Sequence, residues 1–218
     1  IEKSDVADAK MRIFNADGSE GKMAGNAIRC VGKYVYDHGM TEKESIAVET
    51  LAGIKYLDFK IENGKVTWVT VDMGEPELRP DFIPVISDGE TVINETIHAA
   101  GKDWEMTCVS MGNPHAVVFV DDVKNFPLEK YGPLFENHER FPKRTNTEFV
   151  QVVSREEAYM RVWERGSAET WACGTGTCAT VVACILNGLT DRKVTKVPTI
   201  LYFYEGKLVE MTDSKVDK

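Results

Sequence analysis

The sequence predicts an α+β fold made of two similar halves, and three observations carry that expectation. Short strand-like runs bounded by turn residues fill most of the chain, and two helical patterns interrupt them, opening at Gly25 and Gly174. An internal echo links those helices. Asn15 is followed by Gly18-Ser19 and then, nine residues after Asn15, by Ala24-Gly25-Asn26-Ala27; Glu164 is followed by Gly166-Ser167 and then, nine residues on, by Cys173-Gly174-Thr175-Gly176. Both units read strand, Gly-Ser turn, small-residue loop, helix, which is the pattern of two pseudo-symmetric half-domains. Finally, residues 74–88 hold three prolines and little periodicity, which marks a junction; the expected domains are 1–77 and 78–218.

In chain order, residues 10–15 alternate weakly and read as a strand, and 16–21 are rich in turn formers. From Gly25, Ile28, Val31 and Val35 recur at three and four, and Gly39 is placed to end the helix just past its last turn. Strands are expected at 45–49, 54–61 and 65–72, the last two joined by the hairpin signal Glu62-Asn63-Gly64. Beyond the junction come strands at 91–99, 104–110 and 116–120, then a short helix or loop over 121–130. Strands at 144–153 and 158–163 flank the turn Ser154-Arg155-Glu156-Glu157. The second helix runs from Gly174 to Leu189, with Cys178, Val181, Val182, Ile185 and Leu189 on one face. A hairpin around Glu205-Gly206-Lys207 and a polar tail close the chain.

Composition narrows the class. The 218 residues include 26 Lys+Arg and 35 Asp+Glu, a formal charge of -9, with 43% hydrophobic residues. That is a globular composition, and its acidic balance argues against nucleic-acid backbone binding. No apolar run reaches the roughly 18 residues of a membrane span. The chain opens at Ile1 with neither an initiator Met nor a signal-peptide pattern, as a processed or internal start would. Five cysteines, at 30, 108, 173, 178 and 184, form an odd set without compact spacing, the usage of a reducing, cytoplasmic protein. The four histidines are scattered and no CxxC or HExxH occurs, so no metal site is expected.

A small-residue loop that runs into a helix leaves backbone N–H groups at the positive end of the dipole, a site for a carboxylate or phosphate. A cysteine placed there should have a lowered pKa and thiolate character, and Cys173 fits that position; a packed cysteine in a glycine-rich turn fits it too. Cys30, Cys178 and Cys184 fall inside helices and read as small buried hydrophobes. Met111-Gly112-Asn113-Pro114-His115 ends one strand and opens another, so Asn113 and His115 either orient a polar ligand or simply make a turn. Arg165 could hold a carboxylate through both guanidinium arms, or join a surface ion pair. The Gly174-Thr175-Gly176 loop lacks a P-loop lysine and Rossmann spacing, so nucleotide binding is disfavoured.

Together, Asn15-Ala16-Asp17-Gly18-Ser19-Glu20, Met23-Ala24-Gly25-Asn26-Ala27-Ile28-Arg29-Cys30, Gly112-Asn113-Pro114-His115, and Glu164-Arg165-Gly166-Ser167 leading to Ala172-Cys173-Gly174-Thr175-Gly176 resemble diaminopimelate epimerase, in the family's order and over about residues 10–190. The resemblance implies two pseudo-symmetric α+β domains, each a barrel-like, mostly antiparallel sheet around a central helix, with a small zwitterionic amino acid held between them. It implies no pyridoxal phosphate, no metal and no other cofactor, no nucleic-acid or membrane partner, and a homodimer. The implied reaction interconverts LL- and meso-diaminopimelate, one thiol removing the α-proton while an opposing thiol delivers another. Carried over by position, Cys173 is one thiol and Ala24 stands where its partner belongs. His115 and Glu164 match polar residues near the reacting centre. Asn15, Gly25, Asn26, Asn113, Asn146, Glu164, Arg165, Gly174 and Thr175 match substrate-binding positions.

Three departures accompany the resemblance. Ala24 has no transferable proton, so the chain is expected to bind diaminopimelate and to epimerise it poorly if at all. The family's first strand and its glycine-asparagine loop are not found ahead of Asn15, which leaves the first half-domain incomplete. After about residue 190 the family pattern fades. Alternatives are a related amino-acid racemase and a non-catalytic amino-acid-binding pseudoenzyme.

Overall fold

The computed structural model describes residues 1–14, 18, 20–194, 200–202 and 208–210. The chain forms two compact units, Ile1–Gly74 and Glu75–Lys218.

In the first unit, β1 (Ala9–Lys10), β2 (Ile13–Phe14) and β3 (Glu20–Gly21) precede α1 (Gly25–Asp37), and β4 (Ser45–Thr50), β5 (Gly53–Glu62) and β6 (Lys65–Val71) follow it. The sheet order is β1-β4-β5-β6, with β1 parallel to β4 and the other pairs antiparallel, while β2 and β3 pair separately. Alternation along β4 and β5 buries Ile46, Val48, Leu57 and Phe59 against Ile28 of α1 and against Met11. A β-carbon on Gly32 would lie 2.6 Å from Leu57 Cδ2 and 2.9 Å from Phe59 Cε1, so a glycine in mid-helix is what lets α1 lie close on β5. The helix stops where the sequence says it should. Gly39 is left-handed (φ 69°), its N–H reaches the Tyr36 carbonyl, and the Met40 N–H reaches that of Val35. Asn63 and Gly64 both take positive φ (53° and 72°), the geometry of the tight β5–β6 hairpin.

The second unit contains β7 (Glu95–Ala99), β8 (Lys102–Ser110), β9 (Pro114–Phe119), α2 (Leu128–Glu136), β10 (Asn146–Ser154), β11 (Glu157–Glu164), β12 (Ala168–Glu169) and α3 (Gly174–Leu186). A separate antiparallel pair, β13 (Ile200–Tyr202) and β14 (Leu208–Glu210), follows. The six-stranded sheet runs β12-β11-β10-β9-β8-β7. Only β9 and β10 are parallel, with His115 beside Asn146, and α2 lies in the crossover that a parallel pair requires. One face packs Leu128 and Phe135 of α2 into a cluster with Trp104, Phe141 and Phe149. The opposite face packs Ala179, Ala183 and Cys184 of α3 on Val109, Val117, Val150, Met160 and Val162. Because both faces are covered, β8, β9 and β10 are buried almost end to end, not at alternate residues.

The expected barrels are not formed. Neither sheet closes: β1 does not pair with β6, nor β12 with β7. The edge strands β1 and β12 are two residues long, too short to carry a ladder round to the far edge. Each helix accordingly lies on a face of an open sheet and is not enclosed by one. The fold is mixed α+β with mostly antiparallel open sheets. The segment expected as a short helix or loop over 121–130 is non-helical up to Pro127, and the helix that begins at Leu128 continues past Pro133 to Glu136. The strand expected from residue 91 begins at Glu95, because Asn94 adopts a left-handed conformation (φ 51°) that breaks regular pairing. The expected hairpin tip at 205–207 lies outside the described residues. No helix among the described residues is long and apolar enough to cross a membrane.

Candidate functional site

Cys173 is the N-cap of α3. Its extended backbone (φ -126°, ψ 105°) starts the helix, and its own sulfur accepts the Gly176 N–H at 3.3 Å. The Thr175 hydroxyl lies 3.5 Å from the same sulfur. Asn113 donates its amide N–H to Thr175 Oγ1 at 3.2 Å. Asn113 Oδ1 in turn meets His115 Nε2 at 3.0 Å, and His115 Nδ1 meets Glu148 Oε1 at 2.7 Å. A hydrogen-bonded chain therefore runs from Glu148 on β10 through His115 at the start of β9 to the thiol at the head of α3.

The thiol is not the depressed one that its position at a helix end led us to expect. It is buried, and its pKa is pushed up to about 12. Burial is the larger cause, the negative charges of Glu148 and Glu164 add to it, and the bonds from Thr175 and Gly176 oppose it. Two nearby carboxylates and a dry setting outweigh the helix end.

Asn146 and Arg165 are part of the scaffold around this point. Asn146 is buried, donates to the Pro114 carbonyl at 3.1 Å and accepts the Arg165 N–H at 2.8 Å, so it ties the starts of β9 and β10 to the turn after β11. The Arg165 guanidinium donates to the Lys143 carbonyl; burial and neighbouring Arg144 lower its pKa, while Glu136 raises it. Glu164, at the end of β11, accepts the Thr170 hydroxyl. Gly174 is the first residue of α3, and its N–H and that of Thr175 belong to the turn that has no intrahelical acceptor.

Ala24, Gly25 and Asn26 belong to the first unit and are described by themselves. Ala24 is the N-cap of α1, extended like Cys173 (φ -139°, ψ 119°), but it has no side-chain cap. Gly25 is buried, and Asn26 Oδ1 accepts from Arg29 at 2.5 Å. Asn15 lies outside the described residues. Among the described residues, no group of three or more His, Cys, Asp or Glu is arranged to hold a metal ion, and none of the five cysteines is in a disulfide.

Sequence reasoning missed Glu148 and Glu136. Glu136, at the end of α2, accepts from Arg144 and Gly166 through one oxygen at 2.8 Å each and from Trp163 Nε1 through the other at 2.7 Å, which fixes the Glu164-Arg165-Gly166 turn. Glu148 is signalled in the sequence by a lone acid followed by Phe149-Val150 in a strand buried on both faces.

A family model described as "Diaminopimelate epimerase" matches residues 1–79 and 107–200. Diaminopimelate epimerase of Agathobacter rectalis is 68% identical over 201 residues, covering 89% of this chain and 70% of that protein. The enzyme of Methanococcus maripaludis is 59% identical over 192 residues, covering 88% and 69%. Among solved structures, a probable proline racemase from Agrobacterium radiobacter with bound carbonate superposes with TM-score 0.70 at 16% identity, over 91% of this chain and 62% of that one. A hydroxyproline epimerase from Agrobacterium vitis gives 0.64 at 14% identity, over 87% and 58%. At such identities the likeness is one of fold. The chain thus spans 70% of the length of the first curated relative and 62% of the first solved one.

Proposed function

The chain belongs to the diaminopimelate epimerase family, isomerases that act on amino acids without pyridoxal phosphate, and from that premise we propose that it binds diaminopimelate and moves a proton at its α-carbon through Cys173 on one face only. The observation that carries this reading is the capped thiol: Cys173 Sγ accepts the Gly176 N–H and lies within hydrogen-bond reach of the Thr175 hydroxyl. The thiolate form of Cys173 can take the α-proton, the S–H bond forming as the C–H bond breaks and the electron pair staying on the α-carbon; the thiol so formed exchanges its proton with water and returns one to the same face. The N–H groups of Gly174 and Thr175 are suited to the substrate α-carboxylate, where charge accumulates when the α-proton leaves. Arg165 is suited to a second carboxylate, and Glu164 to an ammonium group.

Two-base epimerisation also requires a donor on the opposite face. The position that corresponds to Cys173 in the first unit holds Ala24, which has no proton to give. The reading therefore assigns binding without efficient turnover. Interconversion of the LL and meso forms, followed by chiral chromatography, should be negligible for the chain as it stands. Ala24→Cys should raise it by roughly a hundredfold or more, the usual contribution of a general acid. Ordinary enzymatic turnover by the unaltered chain would contradict the proposal. Binding with no gain in Ala24→Cys would favour a non-catalytic amino-acid binder, which the bare N-cap of α1 already suits.

A further inference from the structure

One buried acid has no part in that scheme. Glu148 is 0% exposed, and so is His115, whose Nδ1 holds its Oε1. The other carboxylate oxygen, Oε2, is buried without a hydrogen-bond partner among the described residues. A β-carbon on Gly176 would lie 2.5 Å from Glu148 Oε1 and 3.1 Å from Cys173 Sγ, so carboxylate and sulfur crowd the same point beside the first turn of α3. Glu148 is anchored by its neighbour through Oε1, on the side of Gly176 that Cys173 also lines, while Oε2 has no hydrogen-bond partner among the described residues.

We propose that Glu148 is a positioning residue that keeps Cys173 in its protonated, proton-donating form. This rests on reading Cys173 as the thiol that exchanges a proton with substrate. A thiolate at this sulfur would form a like-charge pair with a carboxylate away from water, and such a pair disfavours ionisation. Several groups face the sulfur. Glu148 comes from β10, with His115 of β9 bound behind it, and Glu164 from the end of β11; Thr175 and Gly176 of α3 donate hydrogen bonds. The donors favour thiolate, as a helix N-terminus does, and the acids oppose it. Glu148 thereby adds its charge to burial in opposing the activating effect of the helix end. The raised thiol pKa agrees with that direction.

The test is the pH dependence of Cys173 alkylation by iodoacetamide, read by peptide mass spectrometry in the absence of amino acids. Glu148→Gln preserves shape and a hydrogen-bonding group opposite His115 but removes the charge. It is expected to move the midpoint down by about one pH unit or more, seen as roughly tenfold faster labelling at a fixed pH below the midpoint. Glu148→Asp retains the charge and should retain the high midpoint. A Gln variant with an unchanged circular dichroism spectrum and an unchanged alkylation profile overturns the proposal. If the Gln variant does not fold, the Cβ carbon resonance of Cys173 in the unaltered chain decides: a thiol signal persisting well above the ordinary thiol range of about 8.5 supports it, and a thiolate signal at neutral pH sinks it. No substrate enters these measurements, so their outcome is separate from that of the Ala24→Cys assay.

Discussion

A methyl group at Gly176 has no room: it would press on Glu148 Oε1 at 2.5 Å and on Cys173 at 3.1 Å. Gly176→Ala is therefore expected to cost about 1–3 kcal/mol in urea unfolding, through overpacking of an acid and a thiol that cannot both retreat. An unchanged unfolding midpoint would show that the two groups do not share this space. The same neighbourhood shows what single residues disclose in a sequence. Cys173, Asn113, His115 and Thr175 stand out there by motif and spacing, and the structure brings them together. Asn146 stands out too, but its amide is committed to Pro114 and Arg165. The raised thiol was not legible, because its causes are burial and two acids brought in from other strands.

The two helix starts make a paired comparison at the scale of elements. Cys173 caps α3 through its sulfur, whereas Ala24 leaves α1 uncapped in the same extended conformation. Ala24→Ser should stabilise the chain by about 1 kcal/mol, the ordinary value of an N-cap, as a higher urea midpoint at unchanged slope. No change would mean that α1 does not begin where its backbone indicates. Elements with local signatures were legible: α1 by its 3–4 spacing and Gly39, the β5–β6 hairpin by Asn63-Gly64. The extent of α2 was not, since Pro133 suggests a stop that the packing of Phe135 against Trp104 and Phe149 overrides. Sheet closure was not legible either. Whether an edge strand is two residues or six depends on long-range pairing, which alternation does not encode.

The whole molecule carries its buried thiols as a pH-dependent load. Burial raises the pKa of Cys108, and it raises Cys173 and Cys184 to about 12 each, from an ordinary 9.0. Thiols raised in the folded state lose their protons first in the unfolded chain, so stability is unaffected below the ordinary value and falls as pH climbs from there toward the folded value. Each thiol contributes at most about 1.4 kcal/mol per pH unit in that window. Urea midpoints should hold steady up to about pH 8.5 and drop above it, less steeply in Cys184→Ala; an equal drop in both would remove these thiols as the cause. Proton movement at the α-carbon is read most directly as deuterium uptake. Each diaminopimelate isomer is incubated with the unaltered chain in heavy water, with Cys173→Ala as control, and the α-proton signal is followed by NMR. Exchange is expected from one α-configuration only, and is abolished in Cys173→Ala. Equal exchange from both configurations, or exchange that survives loss of Cys173, would contradict it.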